Sequence, residues 1–448
     1  MTLAFWGAGD DASRPNDDAM TDAQRPVTKR IVILGGGFGG VYAAMTLQSL
    51  TRWRRDVDVT LIARENFFLF TPMLPQAATG SIEAHHVVVS LRRVLPRVRV
   101  LEAEIESIDL DAHTVTIEHD EGQPHSVTWD QLIIAVGGET NFFGLPGVAE
   151  NALTIRTLAD AIELRNRVID MLEQAELEDD PAVRKRLLTV VVAGAGFAGI
   201  ETAAETDLFM RTAARLYRNI KPQDVTTVVV DLQARILPEL SSALASWTQR
   251  TLEKRGVLFR LGVGVKSADA SGVTLADGTR IDTNVFVWAG GVSANPLVAK
   301  LPIANQRGRV PVDEYLGVPG HPGVWAVGDS AVVTPPGGGA PYPPTAQHAL
   351  REGLQVAHNV IAVIDGKPPH PFAYTAVGQM AHLGEHQAVA MLGGLKISGF
   401  PAWWLWRTYY LFRIPTLERK IRVAIDWTLD LLFSRDTVQV KLPREKSG

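Results

Sequence analysis

Two groups of glycines in this 448-residue chain have the spacing Gly-x-Gly-x-x-Gly. Their members are Gly35, Gly37 and Gly40 in the first group and Gly194, Gly196 and Gly199 in the second. Glycines at this spacing permit a tight turn, and the free N–H groups of a helix N-terminus then attract an anion. The two groups therefore predict two sites for the pyrophosphate of a dinucleotide.

The residues around each group predict the elements that this chemistry needs. Apolar runs suggest strands before and after each group, and a helix follows the glycines directly. In the first unit we expect a strand at 30–34, a helix at 41–50 and a strand at 57–62, and in the second a strand at 188–192, a helix at 200–217 and a strand at 225–230. The repeat predicts an α/β fold with two Rossmann-like domains, the second inserted in the first.

Charged residues after the second strand of each unit bear on the ribose. Asp231 ends the second strand of the second unit, where a carboxylate accepts hydrogen bonds from both ribose hydroxyls and repels a 2′-phosphate. This favours NADH over NADPH, although the nearby Arg235 is either a phosphate ligand or a solvated arginine. In the first unit, Ala63 and Arg64 precede Glu65, so either Glu65 or backbone groups hold the ribose.

A third pattern lies at residues 324–329, where an apolar strand ends in Gly328 and Asp329. A carboxylate at this place can hydrogen-bond the ribityl chain of a flavin, whereas the alternative is a simple turn. In combination with two dinucleotide sites, it predicts one FAD, bound non-covalently, and NADH as a transient hydride donor.

Composition excludes several classes of function. The formal net charge is −5, which gives no reason to expect a nucleic acid partner. The chain has no cysteine, so redox-active thiols and thiolate metal sites are impossible, and we expect no metal. The polar segment 1–28 lacks the features of a secretory signal and is either a disordered leader or the product of a mis-assigned start codon.

Two further stretches are highly specific: NFFLFTPMLPQAATG at 66–80 and PPTAQHALREG at 343–353. Together with residues 31–40, 134–147, 192–201, 235–238 and 288–296, they resemble the type II NADH:quinone oxidoreductases, which are single-subunit, FAD-dependent and non-proton-pumping enzymes. The resemblance covers residues 30 to about 440. It implies hydride transfer from NADH to FAD and then transfer of two electrons to a membrane quinone.

The resemblance also implies roles for individual residues. The FAD ligands would be Gly35, Gly37, Phe38, Gly39, Gly40, Glu65, Thr71, Pro72, Gly137, Gly328, Asp329, Ala346 and Gln347. The NADH ligands would be Gly194, Gly196, Phe197, Gly199, Glu201, Asp231, Ala289 and Gly290.

Two of these residues would act in catalysis. Gln347 would lie beside the flavin ring where the quinone enters, and Glu201 would relay protons. For Glu201, the alternative is a carboxylate favoured by the helix dipole. Arg351 stands where many members of the family have a second glutamine, so the identity of the acceptor stays open.

The C-terminal segment changes character. Residues 401–412 read PAWWLWRTYYLF, and residues 415–433 carry apolar side chains at helical spacing beside Arg419, Lys420 and Arg422. Such a region is typical of a helix lying on an anionic lipid surface, or of a hairpin packed on the FAD domain or at a dimer interface. With the resemblance, it predicts a homodimer attached peripherally to the cytoplasmic face of the inner (plasma) membrane.

These inferences give five segments: a leader at 1–28, an FAD domain at 29–148 and 310–397, an NADH-binding domain at 149–309, and an amphipathic membrane-associated region at 398–448. Two other functions fit the same motifs. One is a soluble NADH diaphorase or flavin reductase serving another acceptor. The other is a nucleotide-binding redox sensor with little turnover.

Overall fold

The computed structural model describes residues 28–119 and 122–439. All but the last residue of the expected leader, and the end of the C-terminal region, lie outside them. The strands of the described chain are β1 (Lys29–Leu34), β2 (Val57–Ala63), β3 (Phe67–Leu69), β4 (Val88–Ser90), β5 (Arg99–Glu102), β6 (Glu104–Asp109), β7 (Thr114–Glu118), β8 (His125–Thr128), β9 (Gln131–Ile134), β10 (Gly138–Thr140), β11 (Thr189–Ala193), β12 (Thr226–Asp231), β13 (Val257–Leu261), β14 (Val265–Asp269), β15 (Gly272–Leu275), β16 (Arg280–Asp282), β17 (Val285–Trp288), β18 (Val292–Ala294), β19 (Val310–Pro311), β20 (Val324–Ala326), β21 (Ala331–Val332), β22 (Gly378–His382), β23 (Ala388–Leu392) and β24 (Leu395–Gly399).

The α-helices alternate with these strands over much of the chain. They are α1 (Phe38–Leu50), α2 (Leu74–Ala77), α3 (Leu91–Val94), α4 (Val148–Asn151), α5 (Leu158–Leu177), α6 (Pro181–Leu187), α7 (Phe197–Ala213), α8 (Ser242–Arg255), α9 (Pro296–Ala299), α10 (Ala346–Ile364), α11 (Phe400–Arg413) and α12 (Leu417–Leu432). Short 3-10 helices occur at Thr71–Met73, Ala84–Val87, Ala214–Leu216, Pro222–Asp224 and Gly328–Ser330.

The first large sheet has the strand order β20-β9-β1-β2-β5, and all its pairs are parallel. The strand β1 lies at its centre, and Ile31, Ile33 and Leu34 are completely buried. A parallel strand covered on both faces needs such a continuous apolar run. The strand β20 joins this sheet although the whole second sheet lies between β9 and β20 in sequence.

The second large sheet has the order β13-β12-β11-β17 and is also parallel. Its central strand β11 is buried throughout, and α7 connects it to β12. The antiparallel pair of β10 and β18 links the two sheets. Two parallel sheets, each with a strand–glycine turn–helix–strand unit, confirm the predicted α/β class with two Rossmann-like domains.

The expected helices differ from the observed ones at their ends. The first begins at Phe38 rather than at residue 41, because Gly37 is its N-cap and Gly40, the last glycine of the motif, lies in its first turn. The second begins at Phe197 for the same reason. It ends at Ala213, where the chain tightens into the 3-10 helix Ala214–Leu216 instead of continuing to residue 217.

The C-terminal part consists of the antiparallel sheet β22-β23-β24 and the helices α11 and α12. The strand β24 pairs with β23 as far as Gly399, so it runs across the expected boundary at 397/398. The helix α11 packs on this sheet and buries Ala402, Trp403 and Trp406. Within the described residues, none of the helices combines the length and the apolar character needed to cross a bilayer.

Candidate active site

A cavity of about 930 Å³ lies at the carboxyl ends of β20, β9 and β1. It continues past the first turn of α7 to α11, so both Rossmann-like units contribute to its wall. Ligands of open parallel sheets bind at this edge, where loops from neighbouring strands meet. The volume lies in the range of cofactor and substrate sites.

The first glycine turn forms part of the wall of this cavity. Gly35 has φ +109° and lies directly below the loop after β9, since a Cβ there would be 2.2 Å from the Ala135 carbonyl oxygen. A Cβ on Gly40 would be 2.0 Å from the Gly35 carbonyl oxygen. Gly37, in contrast, faces open space and caps α1 without a side-chain hydrogen bond. The N–H groups of the first helical turn are therefore free for an anion.

The second glycine turn repeats this geometry. Gly194 has φ +107°, and a Cβ on Gly199 would be 1.8 Å from the Gly194 carbonyl oxygen. Gly196 faces open space at the N-terminus of α7 and has no side-chain cap. The Asp231 carboxylate lies beside this turn, accepting hydrogen bonds from the N–H of Ala195 and, at 2.6 Å, from that of Gln233.

Most of the expected ligands lie together. The cavity is lined by Gly35, Gly37, Phe38, Gly39, Thr71, Pro72, Gly137, Phe197, Glu201, Ala289, Gly328, Asp329, Ala346 and Gln347. The others lie outside its wall: Gly40, Glu65, Gly194, Gly196, Gly199, Asp231 and Gly290. The glycines among these shape the two turns, and Glu65 is exposed beyond the end of β2. Glu65 is therefore not brought to the other expected FAD ligands.

The loop after β20 is fixed by two buried side chains. Glu352 of α10 accepts a hydrogen bond of 2.6 Å from the Gly328 N–H, and Ser330 accepts one of 2.9 Å from the Gly137 N–H. Burial raises the pKa of Glu352 to about 7. Burial also raises the pKa of Asp329, against the lowering effect of the Arg156 and Arg309 charges. The backbone on either side of Asp329 is thus held in place, and its carboxyl lies at the cavity wall, where it can accept hydrogen bonds from a polyol chain.

Glu201 is the ionisable group at the junction of the two units. Its Oε1 accepts a hydrogen bond of 2.8 Å from the backbone N–H of His382. Burial raises the pKa of Glu201 to about 8, and the nearby Glu205 carboxylate adds to this effect. The Glu201 carboxyl is therefore largely protonated at pH 7, which is the state that a proton donor requires.

The side chain of Gln347 is oriented by two hydrogen bonds. Its Oε1 accepts one of 3.1 Å from the Tyr374 hydroxyl, and its Nε2 donates one of 2.9 Å to the Gly378 carbonyl oxygen. An amide nitrogen carries two donors, so one N–H of Gln347 stays available to the cavity. The guanidinium carbon of Arg351 lies 5.4 Å from the ring centroid of Tyr374. Arg351 therefore contacts Tyr374 but is not part of the cavity wall.

Sequence reasoning missed several residues of the wall. Tyr409, Tyr410 and Arg413 of α11 line the cavity, as do Arg156 and Tyr374. Arg156 also donates a hydrogen bond of 2.8 Å to the Gly138 carbonyl oxygen. The two tyrosines belong to the aromatic cluster of residues 401–412. Their spacing fits a membrane interface as well as a packed helix, so the sequence did not predict that they line the cavity.

Comparison with known proteins shows the family to which the chain belongs. The profile of the pyridine nucleotide-disulphide oxidoreductase family matches residues 29–353, and that of the NDH2 C-terminal domain matches residues 377–436. The Type II NADH:quinone oxidoreductase Ndh of Mycobacterium tuberculosis is 36% identical to this chain, over 92% of this chain and 90% of its own length. A probable NADH dehydrogenase of Dictyostelium discoideum is 31% identical over 91% of this chain and 90% of its own length.

Among solved structures, that of NDH2 from Plasmodium falciparum in complex with NADH has the same fold. Its TM-score is 0.85, its sequence identity is 21%, and the match covers 92% of this chain and all of that one. With the extent of the sequence matches, the conclusion is direct: this chain is a member of the pyridine nucleotide-disulphide oxidoreductase family and, within it, of the type II NADH:quinone oxidoreductases.

Proposed function

We propose that the protein transfers hydride from NADH to bound FAD and then two electrons to a quinone, without pumping protons. The observation that supports this most is one cavity whose wall includes the first glycine turn, the first turn of α7 that follows the second glycine turn, and the side chains of Glu201 and Gln347. Since the chain has no cysteine, electrons cannot pass through a disulfide, and they go directly to a diffusible acceptor.

The first glycine turn and the loop after β20 fit FAD. Gly37 leaves open space in front of a free helix N-terminus, which suits a pyrophosphate. Asp329 lines the same cavity and would accept hydrogen bonds from the ribityl hydroxyls. Bound FAD supplies two-electron chemistry that a protein side chain cannot perform. The exposed position of Glu65 favours backbone groups as the ligands of the FAD ribose.

The second glycine turn fits NADH. Gly196 leaves the N-terminus of α7 open to the pyrophosphate, and Asp231 at the end of β12 would accept hydrogen bonds from the adenosine ribose. A carboxylate at this place repels a 2′-phosphate, so we propose NADH rather than NADPH as the substrate. Phe197, Ala198 and Glu201 continue the path from this turn into the cavity.

Glu201 and Gln347 serve the acceptor half of the reaction. Reduction of a quinone to a hydroquinone needs two electrons and two protons, and the hydride from NADH accounts for both electrons and one proton. One further proton must therefore be supplied from the protein or the solvent. Glu201 is protonated at neutral pH and lines the cavity, so we propose that it donates a proton there. The free N–H of Gln347 would bind a quinone carbonyl oxygen, because Tyr374 and Gly378 hold the amide in one orientation.

The acceptor site is tested by substituting Gln347 and following the two half-reactions separately. In Gln347→Ala, flavin reoxidation by a water-soluble quinone slows, whereas flavin reduction by NADH keeps its rate. The matched control is Gln355→Ala on the same helix, which removes a hydrogen bond to Asn359 and lies outside the cavity wall. Equal slowing of both half-reactions in Gln347→Ala would contradict this placement, and unchanged reoxidation would favour an acceptor that binds elsewhere.

We also propose that α12 attaches the protein peripherally to an anionic membrane surface. Leu417, Ile421, Ile425 and Leu432 form an apolar stripe on this helix, and each is more than half exposed. An exposed stripe of this size, with Arg419 and Lys420 on the same helix, is typical of a helix that lies in the plane of a membrane interface. We further propose that this surface is the cytoplasmic face of the inner membrane and that the protein is a homodimer.

Vesicle sedimentation tests this attachment. The double variant Ile421→Gln/Ile425→Gln should bind anionic vesicles less tightly and still reduce a water-soluble quinone. The control is Leu177→Gln, which removes an even more exposed apolar side chain at the end of α5. Wild-type membrane binding in the double variant would show that the stripe does not contact lipid, and absence of vesicle binding by the wild type would favour a soluble enzyme. We also propose that the NADH-binding domain extends from residue 149 to residue 309 and that the FAD domain lies on either side of it.

A further inference from the structure

A second cavity of about 190 Å³ lies beneath the C-terminal helices. Its wall is formed by α7, α11, α12 and the segment after α12, and it shares none of its residues with the cavity of the active site. The floor is buried and includes Gln76 and Ser81, whereas His386 and Phe433 at the rim are exposed. The volume is much larger than the roughly 15 Å³ that one water needs, so a polyatomic ligand fits.

Arg407 is a cation without a counter-ion in this cavity. Its guanidinium carbon lies 4.5 Å from the ring centroid of Trp403 and 4.6 Å from that of Trp427. Among residues 28–119 and 122–439, its nitrogen atoms make no ion pair and no hydrogen bond. Two indole rings contact the guanidinium, so its N–H edge is left for a further partner.

Two carboxylates line this cavity: Glu385 is exposed, and Asp430 is paired with Arg435, as is the buried Glu205 outside the wall. Asp430 accepts a hydrogen bond of 3.0 Å from Arg435, and Glu205 accepts one of 2.8 Å from the same arginine. Nδ1 of His382 lies 2.8 Å from the other oxygen of Glu205. Burial lowers the pKa of Arg407 to about 10, so the guanidinium stays charged at neutral pH. A desolvated charge of this kind is costly unless an anion joins it.

The remaining polar groups of the wall suit an oxyanion. Ser81, Thr212 and Ser434 carry hydroxyls, and the ring of His386 lies 4.8 Å from that of Trp403. Guanidinium edges and hydroxyls are the usual donors to phosphate oxygens. We propose that this cavity binds a phosphate group through the N–H edge of Arg407. The phosphate belongs either to a lipid headgroup, whose chains would contact the exposed Leu431 and Phe433, or to a soluble phosphate.

Isothermal titration of the FAD-loaded full chain tests the site. The probes are inorganic phosphate and a short-chain phosphatidylglycerol below its micelle concentration, with the ionic strength held constant by chloride. We expect Arg407→Gln to bind these probes at least about tenfold more weakly than the wild type, because a charge-assisted pair of hydrogen bonds is lost. Arg407→Lys keeps the charge without the planar edge and should bind with intermediate affinity.

The control is Arg250→Gln, which removes an exposed cation of α8 outside the cavity wall and should leave phosphate binding unchanged. Flavin content and NADH-driven flavin reduction should match the wild type in all variants, so this test is independent of the proposed function. Binding of both probes, with the lipid tighter, assigns a headgroup, and binding of inorganic phosphate alone assigns a soluble ligand. Absence of binding to the wild type, or wild-type affinity in Arg407→Gln or Arg407→Lys, overturns the proposal.

Discussion

Replacing Gly196 by alanine separates binding of the nucleotide from stability of the fold. Gly196 has φ −75° and ψ −171°, an extended conformation that alanine adopts freely. A Cβ at this position meets no atom within 4 Å. The free energy of unfolding should therefore change by no more than about 0.5 kcal/mol, as for most surface substitutions. The methyl group would instead project into the space in front of α7 that we assign to the pyrophosphate of NADH.

The expected loss of affinity follows from the hydrogen bonds at stake. A hydrogen bond to a charged group contributes about 1.5–3 kcal/mol. Loss of one such bond weakens binding about 10- to 150-fold, since 1.4 kcal/mol is a factor of ten. The assay is the KM for NADH, measured beside thermal unfolding and flavin content. We expect KM to rise over this range while the melting temperature and flavin content stay constant.

Two matched variants complete this test. Gly199→Ala places a Cβ 1.8 Å from the Gly194 carbonyl oxygen, so it should lower the melting temperature as well. Gly37→Ala occupies the corresponding open space in the first unit and should reduce retention of FAD without a comparable change in KM for NADH. An unchanged KM in Gly196→Ala would refute the placement of NADH at this turn.

Three further predictions concern single side chains. Because the pKa of Glu201 is raised to about 8, its carboxyl is protonated at pH 7 and loses its proton above pH 8. Quinone reduction by the wild type should therefore decline through that range. Glu201→Gln should lack this inflection in a pH–rate profile. Arg435→Gln leaves the buried Glu205 without its cationic partner and should cost about 3–5 kcal/mol of stability in denaturant unfolding at pH 7. Arg435 holds the pKa of Glu205 well below its usual range, so this contribution is fully present above the ordinary carboxyl pKa and is lost progressively as the pH falls below it. Equal stability of wild type and variant at pH 7 would contradict the pairing. Tyr374→Phe frees the amide of Gln347 and should raise the KM for quinone about 2- to 10-fold with no change in the KM for NADH, whereas equal effects on both would show a general disturbance of the cavity.

The sequence was sufficient to predict the two turns because their chemistry is local. The glycines, the flanking strands and Asp231 all lie within short units whose geometry depends on neighbours in sequence. Glu65 shows the limit of this reasoning, since it follows β2 in sequence but is exposed in the fold. Its distance from the cavity depends on where the backbone turns after β2, which the residue pattern does not specify.

The contribution of α11 could not be predicted, because it depends on contacts that are distant in sequence. The aromatic residues of this helix fit an interface with lipid, but Tyr409 and Tyr410 line the cavity while Trp403 and Trp406 are buried. The cluster of Glu205, His382 and Arg435 likewise joins residues of three separate segments. Such contacts depend on how α11 and α12 pack on the rest of the fold, which periodicity along the chain does not define.

The central claim is that one cavity brings a nicotinamide and a flavin together and then admits a quinone. The most direct test is anaerobic titration of the purified protein with NADH and then with a water-soluble quinone, following the flavin absorbance at about 450 nm. The claim predicts that NADH bleaches this band stoichiometrically and that the quinone restores it. A protein that retains no FAD, a band that NADH leaves unchanged, or a bleached flavin that quinone does not reoxidise would contradict it.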